Sequence, residues 1–325
     1  MKAIVVEQPG DPEVLKIKNL PRPDPRPGWV LIRVKAFGLN RAELFTRQGH
    51  SPGVSFPRVL GIECVGEVEK APATDLTAGQ TVAAVMGGMG RAFDGSYAEY
   101  TCVPASHVIP LATEVDWPLL GAIPEMFLTI WGALTDGLEV GAGQSLLVRG
   151  GTSSVGLAAI SLAKDMGLTV AATTRNAAKA DTMRENGVDH VLIDDGGIAD
   201  AVRRIFPNGV DRVLELVGTV TVRDSLKATA PKGIVCIVGM LGGEWTLESF
   251  SPFEAIPSSV KLTTYQGEAL NIREGRVALQ QFVDGVVARR HRVNLDRVFR
   301  FDQIVEAHRY MEENRAKGKL VVLVD

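Results

Sequence analysis

The 325-residue chain has little cysteine: Cys64, Cys102 and Cys236 are far apart and odd in number, and no CxxC pair occurs. That excludes a disulfide scaffold and a thiolate zinc cluster, and it suits a reducing, cytoplasmic setting. Charge of one sign is also lacking. The 35 Lys and Arg residues against 38 Asp and Glu leave a net charge of −3, so no global electrostatic case exists for nucleic acid or an anionic membrane. No run of about 18 apolar residues stands out, so no membrane-spanning helix is expected. The start, MKAIVVEQPG, is stopped by Glu7 and Pro9 and reads as a first strand rather than a signal peptide. Several catalytic templates are missing as well. No Tyr is followed by Lys four positions later, and neither a GxSxG elbow nor a GxxxxGKS/T loop occurs. The five His residues form no HxxxH pair.

What is present is ordinary globular composition, 46% hydrophobic and 22% charged, at a length that suits two domains. The first third is a series of short strand-like runs broken by Gly and Pro: Lys2–Val6, Val30–Gly38, Val59–Val68, Thr81–Met86 and Tyr97–Val103. Such punctuation predicts a compact β-rich domain. From about Pro118 the pattern changes to apolar strands alternating with helices. Strands are predicted at Ser145–Val148, Leu168–Thr174, Val191–Ile193, Val210–Leu216, Gly233–Val238 and Lys261–Tyr265. Helices are predicted from Val155 to Met166, over Ala177–Asn186, Ile198–Phe206 and Thr221–Ala228. Apolar strands alternating with helices mean a parallel sheet covered on both faces. After Gln266 the alternation stops, and the tail is expected to return to the first domain.

The segment LLVRGGTSSVGLAAISLAK approximates the dinucleotide fingerprint GxGxxG, with Gly151, Ser153 and Gly156 at its three positions. Small residues let a pyrophosphate approach the backbone, and the helix start, at Ser154 and Val155, offers open N–H groups. Serine in the middle position is a departure, since a positive φ there would cost more than for Gly. About 20 residues on, an NAD site usually places an acid for the ribose 2′-hydroxyl. Here no acid occurs between Gly167 and Asp181. Thr174, Arg175 and Lys179 stand there instead, with the two cations read as sharing a helical face, and they point to the 2′-phosphate of NADPH. The competing reading is that both are ordinary surface charges.

At this point the chain resembles the medium-chain dehydrogenase/reductase superfamily, and within it the zinc-free quinone oxidoreductases related to zeta-crystallin. The resemblance rests on AFGLNRAELFTRQG, PRVLGIECVGEV, DGSYAEYTCVPA, the glycine loop, TTRNAAKADTMRENGVDHV and GKLVVLV, and it covers nearly the whole chain. It implies an α/β architecture: a GroES-like catalytic domain of residues 1–120 and 266–325 and a Rossmann NADP-binding domain of residues 121–265, with the active site in the cleft between them and a homodimer as the usual assembly. Zinc-dependent relatives place Cys in the segment matching Gly38–Asn40 and His in the motif matching Gly61-Ile62-Glu63, so no metal is expected here. Asn40 matches an Asn beside the nicotinamide ribose and substrate, able to donate to a carbonyl and accept from the ribose. The resemblance further implies that Thr129 lies near the carboxamide, Gly239 and Met240 lie at the cofactor edge, and Lys319 approaches the cofactor phosphate. Two departures stand out. The Tyr of enoyl-thioester reductases is absent from Gln48-Gly49-His50-Ser51. Asp194 stands where quinone reductases often carry a Tyr near the 2′-phosphate, and a carboxylate there would repel it.

With neither metal nor evident acid, the substrate must delocalise incoming charge by itself. A quinone or activated alkene does so, and water can supply the proton. The leading expectation is therefore NADPH-dependent hydride transfer to a quinone, with Asn40 orienting the acceptor. An enone, alkenal or enoyl reductase, and a non-catalytic NADPH- or RNA-binding protein, are the alternatives. Trp245, Phe250 and Phe253 either line an apolar substrate wall or pack as loop side chains. His50 and the run Arg289-Arg290-His291-Arg292 read as surface groups.

Overall fold

The computed structural model describes residues 1–267 and 272–324. The chain divides into two compact units, Met1–Leu128 with Asn271–Asp325, and Thr129–Leu270. The first division falls inside the helix Pro124–Gly132, eight residues after the boundary read from sequence, because that helix spans the change in pattern.

The first unit is built on a seven-stranded sheet. Its path runs Leu295–Arg300, Lys319–Leu323, Trp29–Gly38, Glu63–Lys70, Thr81–Val85, Val108–Pro110, and Tyr100–Pro104 also pairs with Trp29–Gly38. Lys2–Val6 forms a separate small sheet with Lys16–Asn19 and Arg58–Val59. The tail strand Lys319–Leu323 lies antiparallel to Trp29–Gly38, with Val321 opposite Gly38. Burial of alternate residues such as Val30, Ile32 and Val34 on one face supplies the core. Phe37 stacks on Tyr97 at 4.5 Å, and the Tyr97 hydroxyl reaches buried His308 Nε2 at 3.1 Å.

The second unit is a six-stranded parallel sheet in the order His190–Ile193, Thr169–Thr174, Ser145–Arg149, Val210–Glu215, Thr229–Ile237, Lys261–Thr264. The order reverses at Ser145–Arg149, the topological switch where open α/β sheets take ligands at their carboxyl ends. Leu146 and Val148 bury into one apolar layer with Ile160 and Met183. Leu147, pointing the other way, joins Val202, Val222 and Leu226. A sheet with helices on both faces is what the uninterrupted apolar strands required.

Sequence and structure differ at three places. The second helix is a 3-10 turn, Ala177–Lys179, followed by a short α-helix, Ala180–Glu185, and Arg175 precedes both, so Arg175 and Lys179 do not share a helical face. The weak strands Lys16–Asn19 and Val108–Pro110 and the helix Arg41–Arg47 carry little apolar periodicity and were not predicted. The helical run Trp117–Gly137 is long and apolar enough to cross a membrane by length and composition, a run the search for unbroken apolar stretches does not pick out, but most of it is buried inside the protein as a core helix is.

Candidate functional site

In the second unit the glycine loop follows Ser145–Arg149 and leads into the helix Ser154–Asp165. Ser153 is the N-cap, with ordinary extended backbone (φ −74°), so the feared strain is absent. Its hydroxyl donates to Gly150 O at 2.9 Å and accepts from Gly156 N–H at 3.0 Å. The left-handed position is Gly150 (φ +91°), which the fingerprint alignment had passed over. Gly156 is required by close approach: a Cβ there would meet Gly150 O at 2.5 Å and Gly151 Cα at 2.8 Å. At Gly151 it would meet Ala172 Cβ at 2.9 Å. With Gly156 N–H capped and Leu157 N–H bonded to Ser153 O, the N–H groups of Ser154 and Val155 have no acceptor among the described residues. Two open N–H groups at the positive end of a helix form an anion cradle. The donor set thus fits a dinucleotide pyrophosphate.

At the end of the next strand Thr174 is buried and its hydroxyl is engaged by the Asn176 backbone. Arg175 is exposed and Lys179 half-buried, and neither side chain has a partner among the described residues. Asp194, the residue that argued against a phosphate here, is tied down. Arg149, fully buried at the end of its strand, holds Asp194 with two bonds of 2.9 and 3.0 Å and reaches Asp224 at 2.8 Å. Burial opposes the charge on both groups, yet their mutual bonds win, leaving the Asp194 carboxyl below and the Arg149 guanidinium above the ordinary range. Glu215 completes this buried network, accepting from Val217 N–H, Gly218 N–H and the Ser225 hydroxyl, with burial raising its pKa. Sequence reasoning missed Arg149, although a charged residue closing an apolar strand was a visible signal.

Gly239 and Met240 sit in the turn after Thr229–Ile237. A Cβ on Gly239 would lie 2.6 Å from Leu216 O, and Met240 packs beside Gly218. These turns lie at the same carboxyl edge as the glycine loop. Thr129 is half-buried in the helix Pro124–Gly132. Phe250 is partly buried against the second unit's own core and lies under Arg223, whereas Trp245 and Phe253 are exposed.

The first unit holds a second constellation. Asn40 is the N-cap of Arg41–Arg47, and the Glu43 carboxylate reaches back to its N–H at 2.9 Å, a capping pattern legible as Asn-x-x-Glu. The Asn40 amide donates to Glu63 Oε1 at 3.0 Å and Glu43 Oε1 at 3.3 Å, while its Oδ1 accepts from Lys319 Nζ. Both amide protons are therefore taken, which corrects the expectation that Asn40 has one to give a substrate carbonyl. Lys319 is also corrected. It is 2% exposed and salt-bridged to Glu63 at 2.7 Å and Glu125 at 3.6 Å, so its ammonium faces carboxylates. Burial opposes its charge, but Glu63, Glu125 and Glu43 together raise its pKa. Burial, reinforced by Glu63 and Glu125, pushes Glu43 up to about 7 against the pull of Ile62 N–H and Lys319. Gly38 makes room, since a Cβ there would strike Glu63 and come within 2.5 Å of Lys319 Cε. Among the described residues no three His, Cys, Asp or Glu side chains are arranged to hold a metal. His50 is exposed, and His291 stacks on Phe282 at 4.8 Å.

A Rossmann-type nucleotide unit with an anion cradle at its switch point, joined in one chain to a GroES-like β-rich unit, defines a two-domain oxidoreductase. The family comparisons agree. Residues 26–113 match the alcohol dehydrogenase GroES-like domain, and residues 186–322 match the zinc-binding dehydrogenase domain. A quinone oxidoreductase of Lama guanicoe is 28% identical over 340 aligned positions, covering 100% of this chain and 98% of the relative. Among solved structures, mycobacterial Rv1454c complexed with NADPH is 27% identical with a TM-score of 0.88, covering 100% of both chains. An NAD-dependent alcohol dehydrogenase is 27% identical with a TM-score of 0.87 over the same full coverage. The chain belongs to the medium-chain dehydrogenase/reductase family and is similar to its quinone oxidoreductases.

Proposed function

We propose that this protein is an NADPH-dependent reductase that delivers hydride to a quinone without zinc. The observation that carries the cofactor choice is the pair of cations Arg175 and Lys179 just beyond the second parallel strand, without a partner among the described residues, while Arg149 holds both oxygens of the Asp194 carboxylate. Quinone as acceptor is supported by the relatives of that description. NADPH, when bound, supplies the hydride.

The chain's own residues bind and orient. Ser154 and Val155 N–H hold the pyrophosphate, Gly151 and Gly156 keep the loop free of side chains, and Ser153 holds the loop to the helix. Thr174, Arg175 and Lys179 read the 2′-phosphate. Gly239 and Met240 form the far rim, and Thr129 serves the carboxamide. Asn40 meets its ligand through the remaining lone pair of Oδ1, so in this reading it accepts, as from a ribose hydroxyl. The quinone ring spreads the added charge and water gives the proton that completes the hydroquinone, so no side-chain acid is needed. Zinc independence is supported by the ammonium of Lys319 standing among Glu63, Glu125 and Asn40, a charge already in place. We place the protein in the cytoplasm as a homodimer, to be checked by fractionation and light scattering.

The test is NADPH and NADH oxidation against a panel of quinones, 2-alkenals and simple ketones. Turnover of quinones with NADPH is expected. Preference for NADH, selective turnover of alkenals, or turnover of plain ketones that needs added zinc would overturn the reading.

A further inference from the structure

The five-residue cluster Asn40, Glu43, Glu63, Glu125 and Lys319 is more elaborate than packing requires. Carboxylates accept and ammonium groups donate, so the identities of the neighbours decide which way the Asn40 carboxamide faces. Lys319 Nζ can meet only Oδ1. Glu63 and Glu43, when ionised, can meet only the amide nitrogen. The opposite flip would set nitrogen against ammonium and oxygen against two carboxylates. Two of the three Nζ hydrogens go to Asn40 and Glu63, and Glu125 stands beside the same ammonium at 3.6 Å. Three carboxylates around one ammonium also leave the cluster short of positive charge, an environment that repels phosphate.

We infer that Lys319 is a positioning residue: through its bond to Oδ1 it fixes the Asn40 carboxamide in the one orientation that leaves an oxygen lone pair for the dinucleotide, and it is not itself a phosphate ligand. The inference rests on the proposed dinucleotide site but not on the identity of the acceptor. Glu63 is the hinge of the arrangement, because it holds Lys319 and the Asn40 amide with the same oxygen, at 2.7 and 3.0 Å. The Glu125 carboxylate stands 3.6 Å from Lys319, and its backbone N–H holds Glu63 Oε2 at 2.9 Å, a bond that a side-chain change leaves in place.

A double-mutant cycle on the purified full chain tests this, read as NADPH dissociation constant by fluorescence and as Tm of the ligand-free protein. Asn40→Ala and Lys319→Met should each weaken NADPH about five- to tenfold, and the pair together no more than either alone, because the second change removes a group whose only route of action is already gone. Equal, additive losses with Lys319→Met would show a direct phosphate contact. A fall in Tm with NADPH affinity unchanged would show a merely structural role, and an unchanged affinity in Asn40→Ala would show that Asn40 does not reach the dinucleotide. Each of these overturns the inference. Glu63→Gln gives an independent sign should Lys319→Met fail to fold. It releases Lys319 from its nearest carboxylate, so a phosphate ligand would then bind NADPH more tightly, whereas a positioning residue loses its hold and binding weakens. Glu125→Gln should change NADPH affinity less than twofold; a loss as large as that of Glu63→Gln refutes the assignment. NADPH binding with the expected coupling but no quinone turnover would sink the quinone reading and leave this inference standing.

Discussion

Removal of Arg175 and Lys179, singly and together, measures how far the second unit chooses its nucleotide by charge. Bonds between charged groups contribute about 1.5–3 kcal/mol when well shielded, which corresponds to tenfold or more in affinity. Shielding is poor here, because Arg175 is exposed and Lys179 only half-buried, and solvent weakens such pairs. About fivefold per cation is therefore a fair expectation. Neither side chain gives up a partner among the described residues when a phosphate arrives, so little is lost in exchange. Asp194 does not cancel the gain, since Arg149 holds both its oxygens. The double variant Arg175→Ala/Lys179→Ala should lose roughly 20- to 30-fold in the ratio of kcat/KM for NADPH over NADH if the two act independently. The loss should fall on NADPH, with NADH kinetics nearly untouched. It should also shrink as salt is raised, because the screening length is about 10 Å at 0.1 M. A ratio within twofold of the parent would refute the reasoning and return both residues to the ordinary surface.

Two further outcomes follow from the buried charges. Arg149→Met leaves Asp194 and Asp224 without their cation and should cost about 3–5 kcal/mol of folding stability in urea titration; a loss under about 1 kcal/mol would show that the network is not a stabilising element. Glu43, raised from 4.5 to about 7 in the fold, binds more protons folded than unfolded between those values, so its share of stability is full below about 4.5 and is lost as pH rises through 7. His308, lowered to about 3 by burial, works in the opposite sense below its ordinary 6.5. The difference between parent and Glu43→Gln isolates the first effect: relative to the parent, Glu43→Gln should gain stability from pH 5 to pH 8, and parallel curves would refute it.

Much of the fold was legible because its signals are local. Unbroken burial along Ser145–Arg149, the small residues of the glycine loop, and the turn at Gly167 (φ +79°) are all properties of neighbouring residues. Ser153 shows the limit of alignment by position: a fingerprint slot asked for glycine, whereas the backbone placed its positive φ at Gly150 and used the hydroxyl as a cap. The Asn40 constellation was legible only in part. Asn40-x-x-Glu43 is a visible cap, but Lys319 meets Asn40 across 279 residues of chain. No spacing rule connects them. Resemblance sent Lys319 toward phosphate because a lysine opening a terminal strand says nothing about which carboxylates surround it. Arg149 and Asp194 were likewise brought together by strand order, which period and composition do not encode.

The two units differ in how they can be assembled. The parallel sheet is drawn from one uninterrupted stretch, while the other sheet sets Lys319–Leu323 directly beside Trp29–Gly38. During synthesis, domains tend to fold as their residues emerge. The nucleotide unit can then close as soon as its own stretch has left the ribosome, whereas the strand ahead of Asn40 waits for a neighbour made hundreds of residues later. Until that neighbour docks, Glu43 and Glu63 have no counter-charge from Lys319, so the β-rich unit matures last.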